Sequence, residues 1–274
     1  RKAVIVGINY PGSKAPLNGC WNDAANTKAY IMEKWGFPED KILFMTDQLE
    51  PGRMLYPTRG NILSALNWLV QDAEPNSSLW FSFSGHGTQQ EDQSGGDETD
   101  KADEADAQDE AIAPVDYETA GNIHDDELNR ALVQRLPAGA RLTVVFDCCH
   151  SGTGLDLPLL YDATGNLIPK TTKEGNVDVS HDEQNAATKG TAADVIFLSG
   201  CQDDQTSADT ENAEVGKTGA LSYALFKTLR EANGNISYIN LLASMRKYMK
   251  EANYTQIPQL SSGHKMDMNA IFKV

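Results

Sequence analysis

Short runs of β-branched and aromatic residues recur along the chain, each closed by a turn or glycine signal. They are Ala3-Val4-Ile5-Val6-Gly7-Ile8-Asn9, Lys41 to Met45, Ser78-Leu79-Trp80-Phe81-Ser82-Phe83, Leu142-Thr143-Val144-Val145-Phe146 and Val195-Ile196-Phe197-Leu198. Runs of this length and composition predict strands buried on both faces. Between them the apolar spacing changes to a helical period. Ala24 to Trp35, ended by Gly36, reads as an amphipathic helix,. Ile62, Leu63, Leu66, Trp68 and Leu69 line one helical face, Asp125 to Leu136 forms another helix, and two more occupy about 219–232 and 237–252,. Strands alternating with helices predict an α/β fold with a mostly parallel central sheet sandwiched by helices.

No internal repeat or linker divides the 274 residues, so 1–274 reads as one domain. Residues 162–193 turn polar and rich in Gly, Thr and Lys, which predicts an exposed, mobile loop,. The hydrophobic fraction of 40% supplies a sizeable core. A formal net charge of -16 argues against a nucleic-acid partner, because phosphate backbones are met by clustered Lys and Arg,. The same charge admits cationic substrates or a bound cation. No apolar run approaches the ~20 residues that cross a bilayer, so no membrane contact is expected. The cysteines are Cys20, Cys148, Cys149 and Cys201, two of them neighbours. That layout suits a reducing compartment better than a disulfide framework, and a cytoplasmic or nuclear setting is expected.

The chemistry concentrates where two predicted core strands end. Ser84-Gly85-His86-Gly87 follows one strand and Asp147-Cys148-Cys149-His150-Ser151-Gly152 follows another. Parallel sheets gather their sites beyond the strand C-termini. A thiol attacks an amide as thiolate, and a nearby histidine is the usual means of making one. Cys149 and His86 are therefore a candidate nucleophile and base. The glycines around them let a substrate backbone approach, and the N–H groups of Gly87 and Cys149 are candidate oxyanion donors. Zinc chemistry fits poorly: Cys148, Cys149 and His150 are consecutive, unlike the ligands of one tetrahedral site, and no HExxH occurs,.

These two motifs resemble those of the metacaspases, caspase-like cysteine peptidases. The likeness runs from Lys2–Gly7 through Leu17-Asn18-Gly19-Cys20-Trp21-Asn22-Asp23-Ala24 to Ile257-Pro258-Gln259-Leu260-Ser261. It implies a caspase-like fold, with a large-subunit-like part of about 1–165 and a small-subunit-like part of about 194–274. It assigns the nucleophile to Cys149, which directly precedes His-Ser-Gly, and leaves Cys148 as its neighbour. The short stretch from Cys149 to the next strand resembles type I more than type II members. The Gln-Ala-Cys signature of Asp-specific caspases is absent,.

Specificity follows pocket charge. Asp147 lies two residues before Cys149, and Asp23 follows the first turn; carboxylates pair with Arg bidentately or with Lys as a point charge,. The competing reading makes Asp23 a helix N-cap and Asp147 a loop-orienting residue. The resemblance implies a pocket of Cys20, Asp23, Ser84 and Asp147, and cleavage after Arg or Lys.

Between Glu91 and Glu110 the chain is densely acidic. Such a run is either a solvated loop or a source of oxygen ligands for a hard cation such as Ca²⁺. Its spacing is not that of an EF-hand, so a site would draw on separate segments. The resemblance implies activation by Ca²⁺ through Asp109, Asp125, Asp126 and Asp156. Asp125-Asp126 also reads as a helix start, where acidic residues favour the dipole. A basic-residue peptidase would find Lys170, Lys173 and Lys189 in its own 162–193 loop, which makes them candidate autocleavage sites. The resemblance further implies a monomer acting on protein or peptide substrates. The rival readings are a catalytically silent caspase-like scaffold in proteostasis and a paracaspase-like peptidase; the paired acidic positions favour the metacaspase.

Overall fold

The computed structural model describes residues 1–91, 108–148, 154–162, 164–168, 191–200, 209–212 and 216–274; for 89–91, 108, 109, 209–212, 216 and 217 the backbone alone is described. Strand β1 (Lys2–Gly7) enters the core at once. Helix α1 (Cys20–Trp35) begins four residues before the expected Ala24. Its N-cap is Gly19, which offers no side chain; Asn9 acts at a distance instead, its Oδ1 accepting from the Cys20 N–H at 3.0 Å. Asp23 is thus inside the first turn, and the N-cap reading of Asp23 is corrected. Gly36 ends the helix in the left-handed region (φ 64°) that glycine adopts without strain, returning its N–H to Met32,.

Strand β2 (Ile42–Thr46) leads through a turn-rich segment to helix α2 (Arg59–Val70), capped by the Thr58 hydroxyl accepting from the Asn61 N–H. Strand β3 (Ser78–Ser84) follows. A small antiparallel sheet comes next, from β4 (Gly87–Glu91), β5 (Gln108–Ile112) and β6 (Ile123–His124), with a one-turn helix α3 (Tyr117–Ala120) inside it. Helix α4 (Asp125–Leu132) starts on the expected aspartates but stops four residues before Leu136, ahead of Pro137,.

Strand β7 (Arg141–Asp147), the short β8 (Leu159–Tyr161) and β9 (Asp194–Ser199) continue the main sheet. A hairpin of β10 (Asp209–Asn212) and β11 (Gly216–Gly219) runs directly into helix α5 (Ala220–Glu231). Helix α6 (Tyr238–Glu251), capped by Ser237, precedes the last strand β12 (Gln259–Ser262). The sheet order is β2-β1-β3-β7-β9-β12-β8. β2, β1, β3, β7 and β9 are parallel, while β12 is antiparallel to both β9 and β8. The mostly parallel sheet is as expected. The added small sheet and the β10–β11 hairpin were not: β4, β10 and β11 are polar in sequence, and the apolar residues of β5 and β6 are too few to signal a strand.

Period-2 alternation sorts the core onto two faces. Val4, Val6, Phe81, Phe83, Val144, Phe146 and Phe197 pack with α2 and α4. Ala3, Ile5, Trp80, Val145, Ile196 and Leu198 pack with α1, α5 and α6. On the first face Phe81, Phe146 and Phe197 meet edge to face across three adjacent strands, at centroid distances of 5.5 and 5.0 Å,. This packing fixes the register of β3 on β7, which pairs Phe83 with Phe146 and Ser84 with Asp147. Most of the expected 162–193 loop, with Lys170, Lys173 and Lys189, lies outside the described residues. Its two ends are held: Ile168 N–H donates to Leu160 O, and Ala193 is buried.

Candidate active site

Parity carries the functional residues to one place. Gly7, Ser84 and Asp147 pair in one row across β1, β3 and β7, at the C-terminal edge. Alternation turns Asp147 toward the face shared by Val145, against α1 and α5. Gly7 is what lets α1 approach: a Cβ there would lie 2.8 Å from the Ala24 Cβ and inside the Cys20 carbonyl. The close approach brings Cys20 and Asp23, on the first turn of α1, against the strand ends.

Asp23 and Asp147 converge on the β11–α5 junction. The Thr218 hydroxyl donates to Asp23 Oδ1, and the Gly219 N–H lies 3.0 Å from both Asp23 oxygens. Asp147 Oδ2 accepts from the Ser222 N–H at 2.7 Å. A Cβ on Gly219 would fall 2.7 Å from Asp147 Oδ1 and closer still to Oδ2. The two carboxylates therefore flank the same glycine. Both are almost fully buried, at 1% and 5% exposure, as are Cys20 and Ser84. Carboxylates at such depth are held by donors, since burial without them costs several kcal/mol.

His86 sits two residues beyond Ser84, and Cys149 follows two residues beyond Asp147 in the sequence. Adjacent strands lie about 4.8 Å apart, so the strand ends that precede His86 and Cys149 in sequence are neighbours. Cys149 itself, and the rest of its loop to Thr153, lie outside the described residues; Cys148 is buried against the α2/α4 face.

The imidazole of His86 is held by an acceptor on one nitrogen and by a ring beside it, and its backbone is tied as well. Its Nε2 lies 2.7 Å from the Ala15 carbonyl oxygen. A carbonyl only accepts, so Nε2 carries the proton and, in the neutral ring, Nδ1 has the lone pair. Its backbone N–H donates to the Tyr10 hydroxyl at 3.0 Å, and the two rings stack with centroids 4.6 Å apart. The Tyr10 hydroxyl donates in turn to Ala113 O at 2.6 Å, while the Ala113 N–H returns to His86 O at 3.0 Å. Burial pushes the Tyr10 phenol well above its usual value, so it stays a donor. Gly87, the expected oxyanion donor, opens β4 opposite Ile112.

The acidic candidates are gathered by a second set of contacts. Ala111 pairs with His124 across β5 and β6. Asp109-Glu110 precede that antiparallel pair and Asp125-Asp126 follow it, so the two acidic dipeptides run side by side. The Asn129 amide donates to Leu155 O at 3.0 Å and to Asp156 O at 3.5 Å, docking the Asp156 segment on α4. Asp125 is buried, its Oδ1 accepting from the Asp126 N–H. Asp126 points outward toward Arg130, 3.7 Å away. Among the described residues no three acidic, histidine or cysteine side chains converge as a finished cation cage; the Asp109 side chain lies outside them. Glu110, not singled out in the sequence, is buried, with Oε2 3.5 Å from where a Cβ on Gly154 would be.

Sequence reasoning missed Tyr10, Ala15, Asp47, Thr218, Gly219 and Ser222. Asp47 follows β2 directly and carried the same strand-end signal as Asp147. The others carried none: a backbone carbonyl and a glycine amide have no side-chain signature.

Residues 1–158 match the metacaspase peptidase C14 domain. A Metacaspase-1 of Cryptococcus neoformans is 41% identical over 99% of this chain and 64% of its own length. A Metacaspase-1 of Schizosaccharomyces pombe is 40% identical over 98% of this chain and 68% of its own. The chain thus spans about two thirds of the length of these relatives. Among solved structures, a protein from Geobacter sulfurreducens aligns with TM-score 0.64 and 24% identity over 97% of this chain and 94% of that one. Caspase-1 from Spodoptera frugiperda aligns with TM-score 0.54 and 14% identity over 96% and 86%; both likenesses concern the fold. The caspase-like α/β sheet, the His86 and Cys149 motifs and the match over the first 158 residues lead to one conclusion: this chain belongs to the metacaspases, the family of the peptidase C14 domain.

Proposed function

We propose that the chain is a cysteine endopeptidase that cleaves after Arg or Lys, through Cys149 and His86, and is activated by Ca²⁺. The observation that supports this reading is the pairing of Ser84 with Asp147, which sets the strand end that leads to His86 beside the strand end that precedes Cys149 in sequence, next to two buried carboxylates.

In this reading His86 Nδ1 takes the thiol proton as the Cys149 thiolate attacks the carbonyl carbon. The N–H groups of Gly87 and Cys149 receive the oxyanion. The tetrahedral intermediate collapses as His86 returns the proton to the leaving amine, and a thioester remains. A water deprotonated by His86 then attacks the thioester and restores the thiol. The Ala15 carbonyl supports this by keeping the proton on Nε2 and stabilising the imidazolium formed at each step. A guanidinium or ammonium would be held by Asp23 and Asp147, with Cys20 and Ser84 as walls.

Asp109, Asp125, Asp126 and Asp156 would hold the Ca²⁺, a hard cation that takes six to eight oxygens. The oxygen-donor chemistry and the side-by-side dipeptides support such a site, and Asp126, which faces Arg130, would have to turn inward to join it. Its effect would be structural: neutralising the carboxylates would strengthen the hold of the Asp156 segment, seven residues past Cys149 in sequence, on α4, where Asn129 already binds it. Lys170, Lys173 and Lys189 remain the proposed self-cleavage sites, and a monomer the proposed state. Among the described residues no helix is long and apolar enough to cross a membrane.

The test is hydrolysis of matched fluorogenic peptides ending in Arg or Asp, with millimolar Ca²⁺ or chelator, beside Cys149→Ala. Ca²⁺-dependent release from the Arg peptide alone, lost in the variant, is expected. Release from the Asp peptide would overturn the pocket assignment, and equal release in chelator would overturn the calcium assignment.

A further inference from the structure

The segment from Asn9 to Leu17 touches the backbone N–H, the Nε2 and the ring of His86. Its turn is anchored from outside: the Asp47 carboxylate accepts from the Asn9 N–H at 3.0 Å, from the Tyr10 N–H at 2.7 Å and from the Trp21 indole at 2.5 Å. Those bonds hold Tyr10 at φ 51°, a left-handed conformation that a non-glycine residue adopts at a cost of order 1–3 kcal/mol,. From that backbone the ring turns inward to 3% exposure, and its hydroxyl bridges His86 N–H and Ala113 O. Gly85 is shaped to admit it, since a Cβ there would lie 2.7 Å from the Tyr10 hydroxyl oxygen. The same segment then folds back, Ser13 N–H donating to Tyr10 O and Leu17 N–H to Asn9 O, which delivers the Ala15 carbonyl to His86 Nε2.

We propose that Tyr10 is a positioning residue for His86, and that Asp47, across β1, is the anchor that holds Tyr10 and the Ala15 carbonyl in place together. The assignment rests on reading His86 as the base. Loss of the phenol hydroxyl leaves the His86 N–H and the Ala113 carbonyl without their shared partner, and the imidazole drifts from Nδ1-forward geometry. Binding of a basic side chain, which involves Asp23 and Asp147, is untouched. The signature is therefore a fall in kcat with KM preserved.

The experiment compares Tyr10→Phe, Asp47→Asn and His86→Ala with the wild type, on an Arg peptide and in the rate of Cys149 alkylation by iodoacetamide at pH 7, each normalised to folded protein. Alkylation needs no peptide, so it reads the dyad whether or not the specificity reading holds. Tyr10→Phe is expected to lower kcat and the alkylation rate by about 10- to 100-fold with KM within twofold; Asp47→Asn should follow it. If His86→Ala leaves alkylation unchanged, the dyad reading fails and the positioning role with it. If His86→Ala slows alkylation but Tyr10→Phe stays within twofold of wild type, the dyad stands and the positioning role is overturned. A rise in KM at constant kcat would also overturn it.

Discussion

Two halves of this site are built in opposite ways. The His86 half is held by a loop close to the N-terminus: Tyr10, Ala15 and, behind them, Asp47. The carboxylate half is held from the other end of the chain, by Thr218 and Gly219 on Asp23, nearly 200 residues away, and by Ser222 on Asp147. In the proposed reading the first is a base oriented in advance on the scaffold of the parallel sheet. The second exists only when the β11–α5 junction docks on α1 and β7. Chemistry and specificity are thus separable, and substitutions should divide between kcat and KM accordingly.

The largest effect is expected on the first half. His86→Ala should lower kcat on an Arg peptide by about 10²- to 10⁴-fold, the usual worth of a general base, with KM little changed; steady-state kinetics checks it. Next comes a matched pair of glycine substitutions. Gly85→Ala pushes a methyl into Tyr10 and Phe83, and Gly219→Ala pushes one into the Asp147 carboxylate. The first should depress kcat and the second raise KM, each about 10- to 100-fold; if both moved the same constant, the division would be wrong. Asp23→Asn keeps the shape but loses the charge. A charge-assisted hydrogen bond is worth ~1.5–3 kcal/mol, so kcat/KM for Arg peptides should fall about 10- to 150-fold, carried by KM.

Asp125→Asn should leave both constants near wild type at saturating Ca²⁺ while raising the half-activating concentration several-fold, read from activity against free Ca²⁺. The smallest effect is on stability at alkaline pH and concerns the Tyr10 phenol. Burial raises that phenol well above its usual value, outweighing the lowering effect of its hydrogen bond with the His86 backbone. The folded state therefore keeps a proton that the unfolded chain releases near pH 10. The stability contribution is full below pH 10 and is lost as pH rises beyond it. Tyr10→Phe should flatten that alkaline loss in urea melts at pH 9 and pH 11. Tyr30 and Tyr238 shift the same way and preserve part of the slope.

The same contrast explains what the sequence revealed. β1, β3, β7 and β9 are continuous apolar runs whose composition alone calls for buried strands, and each was visible within a residue or two. Their C-terminal ends carried Ser84 and Asp147, with His86 two residues on, so the strand edge proposed as the site was legible too. The start of α1 was not, because its cap is the Asn9 side chain from another segment. Thr218 and Gly219 were invisible for the same reason: their role is a contact with Asp23 that local pattern cannot encode. β4, β10 and β11 are polar in sequence and show no alternation, and β5 brings only Ala111 and Ile112 to the core, too short an apolar run to announce a strand.

The central claim is that Cys149 is the nucleophile of a site whose carboxylates select a basic side chain. The most direct measurement is peptide mapping by mass spectrometry after treatment with two peptidyl chloromethyl ketones, identical except for a terminal Arg or Asp, in Ca²⁺. One adduct on Cys149 from the Arg reagent, absent with the Asp reagent and slowed in Asp23→Asn, is the predicted result. An adduct on Cys20, Cys148 or Cys201 instead, or equal labelling of Cys149 by both reagents, would contradict it.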